Sequence, residues 1–189
     1  MKNKKNFALI LCAFAAAINI VLGTLVGQLK IPLIFLDTIG TIFAAVYFGP
    51  WYGAAVGAVS NIITGMIFSP KDIPFFLVNV VVGLLVGYIA KKYGYGIITA
   101  VVTGLILSIV CPLIGSPIAV WLYGGVTGSG NDFLVLWLRK SGADIFTSAF
   151  IPRITGNIID KLISSVLVWA LIKKLPAEYR PRIDNNLSA

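Results

Sequence analysis

Long apolar runs separated by short polar breaks make up nearly the whole chain, and the runs have the length a bilayer asks of a crossing helix, about 20 residues. They predict spans at about 7–26, 34–48, 54–68, 74–90, 97–123 and 152–172. Turn residues fill the breaks. Gly27 to Pro32 follow the first run, Gly49, Pro50, Trp51, Tyr52 and Gly53 the second, Ser69, Pro70, Lys71 and Asp72 the third, and Lys91 with Lys92 closes the fourth. The fifth run is long enough for Pro112 and Pro117 to divide it into a helix and a bent outer portion. Gly124 to Asp132 reads as a flexible outside loop and mobile gate, 133–140 as a short interfacial helix, and Pro152 as a first-turn residue of the sixth span. Residues 176–189 read as a polar, mobile tail. With no repeat of fixed period, the pattern predicts an all-α integral membrane protein, a single six-helix domain over 1–189.

Composition agrees with the pattern. Of 189 residues, 58% are hydrophobic and 12% charged, against about a quarter charged in soluble domains. Six spans leave little chain for a soluble domain. The start is basic, as in a signal peptide, but the apolar run continues to about Val26 without a convincing cleavage site, so it reads as a retained first helix. The net charge of +8 speaks for topology rather than nucleic acid. Lys2, Lys4, Lys5, Lys91, Lys92, Lys173, Lys174, Arg180 and Arg182 fall on one side of the six-span scheme, and only Lys30, Lys71, Arg139 and Lys140 on the other. That bias places both termini in the cytoplasm.

One polar pattern lies inside an apolar span. Arg153, Asn157, Asp160, Lys161 and Ser164 fall within roughly a third of a helix's circumference, and facing lipid they would carry a large desolvation cost. Two readings stand: a pocket lining, or a salt-bridge cluster in which Asp160 neutralises Lys161 or Arg153. Ala8, Cys12 and Ala16, with Ala13 and Ala17 beside them, make one side of the first span nearly flat, suited to packing within the chain or to docking a separate membrane partner. Ala54, Gly57, Ala58, Asn61 and Gly65 read as internal packing, with Ser60 and Asn61 hydrogen-bonded between helices. Asp37 and Thr38 suit a helix cap or a ligand contact. Trp121, Tyr123, Phe133 and Trp137 suit interfacial anchors or stacking surfaces.

Cys12 and Cys111 lie in apolar segments without the spacing of a disulfide framework or metal site. No metal, cofactor or catalytic residue is expected. The chain has no histidine, its single glutamate is Glu178, and no serine or cysteine stands beside an evident base. Gly124 to Asp132 lacks the lysine and hydroxyl ending of a phosphate-binding loop.

Three stretches carry a family likeness: Ala13 to Ala17, which fits an AxxxA docking pattern; Phe48 to Gly53 with Ala54 to Gly57 behind it, a glycine-proline turn between helices two and three; and Gly156 to Lys161. Together they resemble the substrate-binding S components of energy-coupling factor (ECF) transporters, and the likeness covers all six spans. The resemblance implies a membrane binding module that is not an enzyme and has no nucleic-acid partner. It would bind a small water-soluble vitamin or precursor from outside and deliver it through a transmembrane scaffold and two ATP-hydrolysing subunits of an ABC importer. It also implies a pocket at Gln28, Asn79, Trp121, Tyr123, Asn131, Arg153, Asn157 and Lys161, of which Asn157 and Lys161 rest on a motif match, and partner docking at Ala13 and Ala17. Asp160 stands where relatives place lysine three after asparagine, which leaves the ligand's charge open. Pyridoxine, a thiamine pyrimidine precursor and riboflavin are the leading ligands. The competing readings are a membrane enzyme acting on a lipid or isoprenoid, with Asp160 and Arg153 as its polar centre, and a proton-coupled secondary transporter, which lacks a visible inverted repeat.

Overall fold

The computed structural model describes residues 2–176. Residues 177–189 of the expected tail, with Glu178, Arg180 and Arg182, lie outside the described residues, as do the side chains of Lys2, Lys4 and Lys5. The helices are α1 (Lys2–Gln28), α2 (Ile39–Phe48), α3 (Pro50–Phe68), α4 (Phe76–Tyr93), α5 (Ile97–Tyr123), α6 (Asp132–Lys140) and α7 (Ile145–Lys174), with a 3-10 turn at Pro70–Phe75 before α4. Among the described residues there is no strand. Five segments are long and apolar enough to cross a bilayer: α1, α3, the 3-10 turn continued by α4, α5 and α7.

The expected second span is the exception. Its helix has only ten residues, about 15 Å and half of a hydrocarbon core about 30 Å thick. Residues 31–38 approach it in a non-helical conformation, with Lys30, Leu33 and Leu36 at φ of 50°, 66° and 53°. That backbone is unfavourable for residues with a Cβ and cannot continue a helix. α2 is enclosed by α1, α3, α4 and α7, so Ile42 and Ala44 are wholly buried. An apolar run signals burial as strongly as it signals a spanning helix, which is why this half-helix read as a full span.

Other boundaries differ for local reasons. α7 begins seven residues before Pro152, because Asp144 caps it by accepting a hydrogen bond from Thr147 N at 3.0 Å; Pro152 sits buried inside the helix. α5 continues through Pro112 and Pro117 instead of dividing, supported along its length by α7, its most extensive neighbour. Gly49 alone joins α2 to α3, at φ 104°, a conformation that favours glycine, and Pro50 then opens α3 with its φ already set for a helix.

Small residues bring the helices together. A Cβ on Gly83 or Gly87 of α4 would collide with the α3 backbone at Ala54 and Pro50, so the span-three face packs within the chain as expected. Ser60 accepts from Asn19 Nδ2 at 3.2 Å and Asn61 from Asn79 Nδ2 at 2.7 Å. On α1 the small-residue face divides. Ala15 and Ala16 pack against Ala44 and Val56, whereas Ala13 and Ala17 remain exposed. The main core joins α2, α4, α5 and α7 through Ile42, Val82, Val86, Leu107 and Val168, which leaves the opposite end, where residues 29–38, 69–75 and 124–131 meet, to be filled in another way.

Candidate functional site

That end holds a cavity of about 280 Å³, walled by α1, α3, the non-helical segment and the loop before α6, with a second chamber of about 110 Å³ adjoining it. Phe35, Asp37, Asn61, Phe75 and Arg153 border both.

The non-helical segment forms much of the wall, and its amides are held by side chains from far along the chain. Asn131 Oδ1 accepts from Leu33 N at 2.8 Å, and Asp160 Oδ1 from Phe35 N at 2.9 Å and Leu36 N at 2.8 Å. Irregular backbone at membrane depth persists only where protein satisfies it or it lines a cavity, and this segment does both. At its end α2 begins without a side-chain cap from Thr38. Asn19 of α1 provides an acceptor in its place, taking Gly40 N at 2.7 Å while donating to Thr41 Oγ1 at 2.9 Å.

Four of the five polar residues on α7 are buried. Asp160, with no exposure, accepts from Lys161 Nζ at 2.6 Å through its second oxygen. Lys161 also donates to Thr38 Oγ1 at 3.0 Å and Asp37 Oδ1 at 3.4 Å. An ammonium has three N–H donors, so Lys161 has a partner for each. Arg153 donates to Ala149 O at 2.8 Å and, more distantly, to Gly125 O and Thr127 Oγ1. Asn157 donates to Arg153 O at 2.8 Å. Arg153, Asn157 and Lys161 border the cavity, while Asp160 and Ser164 stand behind it. The stripe therefore combines both sequence readings, a buried ion pair and a pocket wall. The polar centre of Asp160 with Arg153 does not form, since the carboxylate is committed to Lys161.

Of the other residues expected at a site, Asn131 and Asn79 are buried and border the cavity. Tyr123 instead donates to Asp72 Oδ1 at 2.8 Å. Gln28 is exposed and borders neither chamber, and Trp121, at 81% exposure, points away. Phe133 and Trp137 are likewise exposed, as interfacial anchors would be. The structure adds Asn19, Thr64, Phe75 and Asp72 to the wall. An amide in the middle of an apolar span is a signal for a site, and Asn19 carried it. Thr64 and Phe75 carried none.

The loop expected as a mobile gate is fastened over the cavity. Asp132 accepts from Thr127 N at 3.2 Å and from Gly128 N, and Gly130 lies so close to the Lys30 and Ile31 carbonyls that a Cβ would not fit. Away from the cavity, an apolar groove runs between α1 and α3 past Cys12, Ala13, Trp51 and Tyr52. Cys12 and Cys111 are both free thiols.

A family model described as the substrate-specific component of ECF transporters matches residues 7–172. No curated protein matches the chain.

Proposed function

This chain belongs to the ECF transporter substrate-specific components, and from that membership we propose that it is the capture subunit of an ECF-type ABC importer in a bacterial cytoplasmic membrane. It takes a small water-soluble vitamin or precursor from outside and delivers it through a complex with a transmembrane scaffold and two ATP-hydrolysing subunits. Both termini then face the cytoplasm. The observation that carries the reading is the cavity at one end of a bundle of apolar helices, with Asn19, Asp37, Asn61, Asn131 and Arg153 set in a largely apolar wall. A membrane protein that binds nothing has no reason to keep buried amides and a guanidinium around a void, because each costs free energy to desolvate.

We assign the ligand wall to Asn79, Asn131, Arg153 and Asn157, with Asp37 and Asn61, and to Lys161 as the support of Asp37. At about 280 Å³ the main chamber is at the small end of ligand pockets, which run from about 300 to 1,000 Å³. That size favours a single heteroaromatic ring, as in pyridoxine or a thiamine pyrimidine precursor, over the three fused rings of riboflavin. Ala13 and Ala17, exposed on α1, are assigned to docking.

Equilibrium binding of a vitamin panel to the purified chain in detergent, without ATP, tests the reading. One member is expected to bind at about micromolar concentration or tighter, close to −8 kcal/mol. A panel with no binder overturns capture by the lone subunit. Copurification with ATP-hydrolysing subunits separates it from the lipid-enzyme and proton-coupled readings, which require no such company.

A further inference from the structure

We propose that the ligand carries a positively charged hydrogen-bond donor, an ammonium or protonated ring nitrogen, and that Asp37 is the residue that receives it. This rests on the capture reading and adds the charge of the substrate, which that reading leaves open.

Three charged groups meet between α7 and the non-helical segment: Asp37, Lys161 and Asp160. Two carboxylates surround one ammonium, so the cluster has a formal charge of −1. The two carboxylates are not equivalent. Asp160 has no exposure and accepts three hydrogen bonds, from Phe35 N, Leu36 N and Lys161 Nζ. Asp37 has only the longest of the Lys161 contacts, at 3.4 Å, keeps 40% of its side chain exposed, and borders both chambers. Within this cluster the charge that Lys161 does not match therefore resides on the carboxylate that faces the void, and Arg153, which borders the same chambers, forms no ion pair with it.

A second, independent acceptor lies beside it. Asn79 is 1% exposed and its Oδ1 has no partner, although its Nδ2 donates to Asn61 and approaches the Asp37 carbonyl at 3.5 Å. A buried amide oxygen without a donor costs free energy that only a donating ligand or water recovers. The main chamber also has a buried donor without a partner, Asn131 Nδ2, but Asn131 does not border the second chamber, where Asp37 and Asn79 stand together. At that second chamber the Lys161 donors are occupied, Asn157 gives one of its two amide hydrogens to Arg153 O, and Arg153 is directed at the Ala149 and Gly125 carbonyls and the Thr127 hydroxyl. A cation meets a carboxylate and an amide oxygen together, and hydrogen bonds between charged groups are about twice as strong as neutral ones.

The test uses isosteric probes on the full chain in detergent, read by the shift in its melting temperature with concentration: benzylammonium, N-methylpyridinium, neutral benzyl alcohol and anionic benzoate. The two cations are expected to stabilise the wild-type chain saturably and the other two not. Asp37→Asn, which keeps an oxygen near Lys161, should weaken the cations by about tenfold to a hundredfold. Equal stabilisation by benzyl alcohol, preference for benzoate, an unchanged response in the variant, or no response to any cation each overturns the cation site. The wild-type series needs no variant to fold. A chain that binds a vitamin from the panel but ignores these cations loses this inference and keeps the capture reading.

Discussion

Asp160 shows how a residue suited to binding can be fully occupied by structure. Without it, Lys161 would place an ammonium among buried groups with one distant carboxylate, and the Phe35 and Leu36 amides would have no acceptor. Removing one partner of a buried pair typically costs about 3 to 5 kcal/mol. Asp160→Ala is accordingly expected to lower stability by about that amount, and Asp160→Asn by less, because its amide oxygen still receives the two backbone N–H groups. Thermal unfolding of the purified chain measures both, and a chain indifferent to Asp160→Ala would show that the cluster holds nothing together. The polar stripe itself was legible in the sequence, since helical spacing fixes which residues share a face. Its division was not. Whether Asp160 faced a void or a backbone depended on a segment some 125 residues earlier, and no local pattern encodes that.

Among the elements, α1, α3, α4, α5 and α7 could be read from apolar length alone. The first part of the expected second span could not, because Leu33 and Leu36 are apolar residues in left-handed conformations, and the Leu33, Phe35 and Leu36 amides are held by distant side chains. Asn131 is one of these, and it joins the lid loop to the segment it covers. Asn131→Ala should leave Leu33 N without its acceptor, at a cost of about 1 to 3 kcal/mol, and raise hydrogen exchange at residues 31–36 and 124–131 together. Asn131→Asp, which keeps an acceptor, should restore protection. Unchanged exchange in the alanine variant would mean that the loop and the segment are held by something other than this contact. The glycine-proline turn, by contrast, was plain in the sequence, since a residue at φ 104° followed by proline leaves few alternatives.

At the scale of the molecule, Lys91 and Lys92 lie in the last turn of α4 and Lys173 and Lys174 in that of α7, at the end of the bundle opposite the cavity. Ala13 and Ala17 are exposed and border neither chamber of the cavity, so the ligand wall and these alanines should respond separately. Ala13→Trp with Ala17→Trp is expected to abolish assembly with the scaffold and ATP-hydrolysing subunits, measured by copurification, while ligand affinity and melting temperature of the lone chain stay as they were. A parallel loss of affinity would assign these alanines to internal packing. The non-helical segment before α2 also bears on how the protein is made. Residues 31–38 emerge from the ribosome long before Asn131 and Asp160, so during synthesis the Leu33, Phe35 and Leu36 amides lack the acceptors they use in the finished protein. A nascent chain that stops short of α7 has no stable way to place that segment in hydrocarbon. Stable placement of residues 31–38 is then expected to wait for α7, the element that supplies the acceptor for two of their amides.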